Sequence, residues 1–199
     1  MQRSSVKLIV GIAGPSGAGK SLIVQKLVER WPDRILHVKT DNYFIDYNKL
    51  PRVGRWHDWD RPECIDWKRL KIELNQLLIG NKVQSSYLDK KTLIRFPLVL
   101  IPKEIIVLEG FLLFWKKAVR DSIDVKIFLD IPEKEIVPRR EFKKGLPDDG
   151  YVSQIVISAY RKYILPTKKF ADFIINATQP PEKIFNQIKS IISSYVTIN

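Results

Sequence analysis

The chain reads as a three-layer α/β fold, with a parallel central sheet, helices on both faces and a small basic lid. Three observations predict it. Short β-branched apolar runs, first among them Val6 to Ala13, have the composition of strands buried on both sides. Helical patterns alternate with those runs, and parallel neighbours need such crossovers. A glycine-rich loop, Gly14 to Gly19, sits between the first strand and the first helix.

The elements follow in order. From Lys20, apolar residues at helical spacing (Leu22, Ile23, Leu27, Val28, Trp31) give a helix that Pro32 closes. Arg34 to Lys39 is a second strand, ending at Thr40-Asp41. Residues 42–65 are irregular and hold Tyr43, Phe44, Tyr47, Trp56 and Trp59; a loop this long inside a domain points to function. Asp66 caps a helix running to about Ile79, with Gly80 just past its end. Val83 to Phe96 forms a hairpin around Asp89-Lys90-Lys91. Glu104 to Leu108 and Val125 to Ile131 are the third and fourth strands. Pro132 to Lys144 and Tyr151 to Leu165 are helical, Asp172 to Ala177 is the fifth strand, and Pro181 to Tyr195 is the closing helix. A length of 199 residues fits one domain spanning 1–199.

Composition narrows the function. The chain is 45% apolar, as a globular domain should be. Lys and Arg number 34 against 22 Asp and Glu, a net charge of +12 that suits a polyphosphate, a nucleic acid or an anionic surface, or simply a solvated basic exterior. No nucleic-acid recognition motif accompanies that charge, despite five tryptophans, so a nucleic-acid partner is not expected. Cys64 is the single cysteine, which excludes an internal disulfide. His37 and His57 are too few for a histidine-based metal site. The short polar start runs through one apolar strand directly into the glycine loop, giving neither a signal peptide nor a membrane span. A cytoplasmic protein is the expectation; the oligomeric state stays open.

Gly14-Pro15-Ser16-Gly17-Ala18-Gly19-Lys20-Ser21 matches G-x-x-x-x-G-K-[ST]. Its glycines let backbone N–H groups turn inward around phosphate oxygens, and the helix N-terminus adds partial positive charge. This predicts an ATP site, with Lys20 reaching the β- and γ-phosphates and the Ser21 hydroxyl on Mg²⁺. In α/β sheets the chemistry gathers at the carboxyl ends of strands. Asp41 ends the second strand and Glu109 the third. One such acid can orient and deprotonate an attacking hydroxyl, and the other can hold Mg²⁺. Asp41 is taken as the base and Glu109 as the metal-side acid.

Trp59-Asp60 pairs a stacking surface with a carboxylate able to accept from two vicinal hydroxyls, as a ribose offers. Pro138-Arg139-Arg140-Glu141-Phe142-Lys143-Lys144 carries four cations in seven positions. Such a segment can close over ATP and neutralise charge on the transferring group. Arg139 and Arg140 are the catalytic candidates there, and Lys143 is a further ATP contact.

These residues resemble the uridine kinase and nicotinamide riboside kinase group of P-loop kinases, over nearly the whole chain. Thr40-Asp41-Asn42-Tyr43-Phe44 is similar to the segment that carries the group's catalytic Asp. Trp59-Asp60-Arg61-Pro62-Glu63 is similar to its nucleoside-binding segment, which makes 42–65 a nucleoside-binding loop and 132–150 the lid region. The resemblance implies that Asp60 grips the ribose and that Trp59 stacks on a nicotinamide ring. It also implies that Tyr151, in Leu146-Pro-Asp-Asp-Gly-Tyr151, lies near the substrate ring. Glu109-Gly-Phe-Leu-Leu-Phe114 looks like the riboside kinase version, whereas Pro166 to Ile175 looks more like uridine kinase. The hairpin holds Tyr87 but lacks the His with which uridine kinases read a pyrimidine, and Lys143 stands near a position where the group has Arg. The implied function is ATP-dependent phosphorylation of a nucleoside 5′-hydroxyl, nicotinamide riboside first, with uridine or cytidine as the alternative and other hydroxyl acceptors after them.

Overall fold

A computed structural model describes residues 6–197, apart from the side chains of residues 143 and 144; the ATP-contact candidate Lys143 therefore lies outside the described residues. Five strands form one parallel sheet: β1 (Leu8–Ala13), β2 (Ile35–Lys39), β7 (Ile105–Glu109), β8 (Val125–Asp130) and β9 (Phe173–Asn176). Their order is β2-β7-β1-β8-β9. Every residue of β1 and β7 is buried, because helices cover both faces. This is the three-layer arrangement that the alternating pattern predicts.

The helices are α1 (Lys20–Arg30), α2 (Trp67–Leu78), the short α3 (Lys117–Arg120), α4 (Ile136–Lys144), α5 (Ile157–Ala159) and α6 (Pro181–Tyr195). Helix α1 packs on α6, and α2 on α3. Asp66 caps α2 as expected, its side chain accepting from the Arg69 N–H at 2.9 Å. No helix among the described residues is long and apolar enough to cross a membrane.

Three regions differ from the sequence expectation. Residues 42–65 are not simply irregular. A 3₁₀ turn at Thr40–Tyr43 leads into them, and they contain 3₁₀ turns at Tyr47–Lys49 and Pro62–Cys64 and a hairpin of two short strands, β3 (Arg52–Val53) and β4 (Trp56–His57). The later hairpin is longer than Val83 to Phe96: β5 (Val83–Leu88) pairs with β6 (Arg95–Leu100), so the turn spans residues 89–94. The stretch from Tyr151 is helical, but it widens to π-helix at Val152–Val156 and Tyr160–Ile164, on either side of α5. Periodicity alone does not separate i+4 from i+5 bonding over one turn.

Register positions the site. Lys39 of β2 and Ile12 of β1 both pair with Glu109 of β7. The carboxyl ends of three strands therefore meet where the glycine loop begins. Two glycines permit this approach. A Cβ on Gly110 would lie 1.8 Å from Thr40 Oγ1, and one on Gly14, at φ +142°, would lie 2.3 Å from the Leu129 carbonyl oxygen.

Candidate active site

The glycine loop wraps the N-terminus of α1. Gly17 and Gly19 take left-handed backbone conformations, and Gly19 is the N-cap residue. Lys20 is buried, with its Nζ donating to the Gly14 and Pro15 carbonyls at 2.8 Å each. The lysine thus braces the loop across its mouth.

Below it, Ser21 Oγ donates to Glu109 Oε1 at 2.6 Å. His37 Nε2 lies 2.9 Å from Glu109 Oε2. Burial pushes the Glu109 carboxyl up. The His37 hydrogen bond, the Lys20 charge and the Ser21 hydrogen bond outweigh it and hold the acid at about 2. Sequence reasoning set His37 aside because two histidines are too few for a histidine-based metal site; its partner is 72 positions away on the adjoining strand. A hard cation with near-octahedral demands fits here. The Ser21 hydroxyl and an ionised carboxylate offer oxygen donors side by side, leaving other positions for phosphate and water. No cluster of three or more His, Cys, Asp or Glu able to cage a metal exists among the described residues.

The depressed Glu109 acid has a measurable consequence. Its folded value lies below its ordinary 4.5, so its contribution to stability is full above that pH. The contribution fades as pH falls through about 2. It amounts to about 3 kcal/mol at full size. Denaturant unfolding of the nucleotide-free protein at about pH 5 and about pH 3 checks this. Glu109→Gln should show a smaller loss of stability over that interval than the parent chain. Equal losses would contradict it.

Asp41 sits in the 3₁₀ turn directly after β2 and faces the same cleft. Lys90, from the β5–β6 turn, lies 3.4 Å from Asp41 Oδ2. Its ammonium also stands 4.0 Å from the Phe44 ring centroid and 5.1 Å from that of Trp59. Sequence reasoning took Lys90 only as a turn residue.

Trp59 is half-buried, edge-on to Phe44 at 5.1 Å, and lines the cleft. Asp60 is buried, and its Oδ2 accepts from the Tyr151 hydroxyl at 2.7 Å. That hydroxyl in turn accepts from the Trp59 N–H at 3.1 Å. Burial pushes the Asp60 carboxyl up, against the Tyr151 hydrogen bond and the charges of Arg140 and Lys90. The Tyr151 ring meets Trp56 edge-on at 6.4 Å, and His57 stacks obliquely on Tyr47 at 4.0 Å.

The two lid arginines differ. Arg139 is committed to the chain, donating to the Gly17 and Ala177 carbonyls at 3.3 and 3.1 Å and pairing with Glu135 at 2.9 Å. Arg140 donates to Ser16 Oγ at 2.7 Å, which sets its guanidinium over the glycine loop. Lys20, Ser21, Asp41, Trp59, Asp60 and Tyr151 line one cleft of about 1480 Å³ together with the two lid arginines.

The phosphoribulokinase/uridine kinase family model matches residues 9–182, most of the chain. The chain belongs to that family. It is therefore a kinase, a phosphotransferase built on the P-loop fold. A uridine kinase from Ligilactobacillus salivarius is 30% identical over 198 residues, covering 94% of this chain and 90% of that protein. A uridine kinase from Chloroflexus aurantiacus is 29% identical over 183 residues, covering 86% and 87%. A solved structure described as a possible uridine kinase from Bacillus stearothermophilus shares the fold. It has a TM-score of 0.58 and 21% identity, and the match covers 87% of this chain and 91% of that one.

Proposed function

We propose that this kinase transfers the γ-phosphoryl group of ATP to the 5′-hydroxyl of a pyrimidine nucleoside, uridine or cytidine. The observation that carries this reading is the shared cleft. The phosphate loop, Asp41 and the buried Asp60 carboxylate all line it. A nucleoside gripped at its ribose by Asp60 would present its 5′-hydroxyl toward Asp41. The relatives' names favour a pyrimidine over nicotinamide riboside, which reverses the order that Trp59-Asp60 suggests on its own. His57, lining the cleft from the β3–β4 hairpin, offers the imidazole that the β5–β6 hairpin lacks. Nicotinamide riboside is the second reading, favoured by the indole of Trp59 beside Asp60.

The chemistry assigns roles to the residues. Asp41 orients the 5′-hydroxyl and takes its proton as the oxygen attacks in line. Backbone N–H groups of residues 16–20 cradle the phosphates, and Lys20 exchanges its two carbonyl partners for phosphate oxygens. Ser21 and Glu109 would hold Mg²⁺, which when bound neutralises phosphate charge. Arg140 stabilises charge spread over the transferring group, while Arg139 anchors α4 to the loop. Tyr151 fixes the Asp60 carboxylate and sets the angle of the ribose grip. Residues 132–150 act as the lid, and the expected location is the cytoplasm.

The test is ADP release with Mg·ATP against uridine, cytidine and nicotinamide riboside, compared by kcat/KM. Faster turnover of a pyrimidine nucleoside is expected. Turnover of nicotinamide riboside alone would establish the second reading, and silence on all three would overturn the nucleoside assignment.

A further inference from the structure

Lys90 lines the main cleft from the β5–β6 turn, and it also lines a smaller pocket with Ser21, Asp41 and Glu109. Its ammonium lies between the Asp41 carboxylate and two aromatic rings, those of Phe44 and Trp59. Its charge also reaches Asp60. Two carboxylates and two ring faces together make the kind of surroundings that bind a cation, by Coulomb attraction and by the ring quadrupoles. The chain's own ammonium occupies that place. The β5–β6 pairing brings it there: residues 88 and 95 pair at the end of the ladder, and Arg95 ties the base of the turn to the Phe44 carbonyl and to Asp46, each at 3.0 Å.

We propose that Lys90 is a charge filter at the acceptor end of the cleft, admitting nucleosides with an uncharged base and disfavouring those with a cationic ring. The proposal rests on the nucleoside reading above and adds a specificity-determining residue to it. A neutral base beside Trp59 meets the ammonium at little cost and can accept a hydrogen bond from it. A pyridinium ring on the same surface lies within a few ångströms of a like charge and finds its cation site already filled. Removing the ammonium frees that site, with Asp41, Asp60 and the two rings left to attract the cation.

The experiment compares two ligands of one shape and different charge: nicotinamide riboside, a pyridinium cation, and its uncharged 1,4-dihydro form. Binding of each, and of uridine, is measured by calorimetry without ATP on the full chain, on Lys90→Met and on Lys90→Arg. The read quantity is the ratio of the two riboside affinities within each protein, so a general loss of affinity in a variant cancels. Lys90→Met is expected to shift the ratio toward the cation by about tenfold or more, the size of one like-charge contact near a protein surface. Lys90→Arg is expected to keep the parent ratio. In the parent chain, added salt should narrow the preference. A ratio unchanged within twofold in Lys90→Met, or moved equally by Lys90→Arg, would overturn the filter while leaving the nucleoside reading intact. If uridine and both ribosides fail to bind all three proteins, the nucleoside reading falls and the filter falls with it.

Discussion

Asp41→Asn is expected to lower kcat by about two to four orders of magnitude while leaving fold and ATP binding in place. The substitution keeps the shape and one acceptor oxygen. It removes the negative charge and the capacity to take the hydroxyl proton. The carboxylate is half-exposed and pairs with Lys90 at 3.4 Å, an ion pair of little weight for stability. A catalytic loss without a stability loss is therefore the signature. Nucleotide affinity should stay near that of the parent, because Lys20, Ser21 and the loop backbone lie on the other side of the transferred group. Turnover within a few-fold of the parent would remove Asp41 from its role.

Asp60→Ala is expected to act on the acceptor instead. Its carboxylate is buried and accepts from Tyr151, so it is fixed before substrate arrives. Hydrogen bonds from two ribose hydroxyls to such a charged acceptor are each worth about 1.5–3 kcal/mol. Their loss should raise the KM for nucleoside by about two to four orders of magnitude and change kcat far less. The parent enzyme should also lose nucleoside affinity on acidification earlier than an ordinary carboxylate would allow, since burial has raised the Asp60 acid and the grip needs its charged form. A KM unchanged in Asp60→Ala, with normal kcat, would exclude the ribose grip.

Much of this molecule is local in sequence. The phosphate loop reads directly because its glycines, lysine and serine are consecutive, and because an apolar strand and a helical pattern bracket them. Glu109 could be placed at a strand end because burial on both faces leaves an apolar run whose last residue is conspicuous, whereas Asp41 follows a mixed edge strand, Ile35–Lys39, and reads as the acid just past its end. The missed features all depend on chain separation. His37 meets Glu109 through strand pairing, Tyr151 meets Asp60 across 91 positions, and Lys90 meets Asp41 across 49. None of the three has a spacing signal, since topology and register alone bring each pair together. The distinction between the lid arginines has the same origin. Arg139 and Arg140 are adjacent, but the helical turn sends one toward backbone carbonyls and the other over the loop.

The central claim is that this cleft carries a phosphoryl group from ATP to the 5′-hydroxyl of a nucleoside. The most direct measurement is phosphorus NMR of the reaction of purified protein with Mg·ATP and uridine, with Asp41→Asn run in parallel. The expected result is uridine 5′-monophosphate formed in step with ADP by the parent protein and nearly absent with the variant. ADP formed without any nucleotide product, or equal product from the Asp41→Asn protein, would contradict the account.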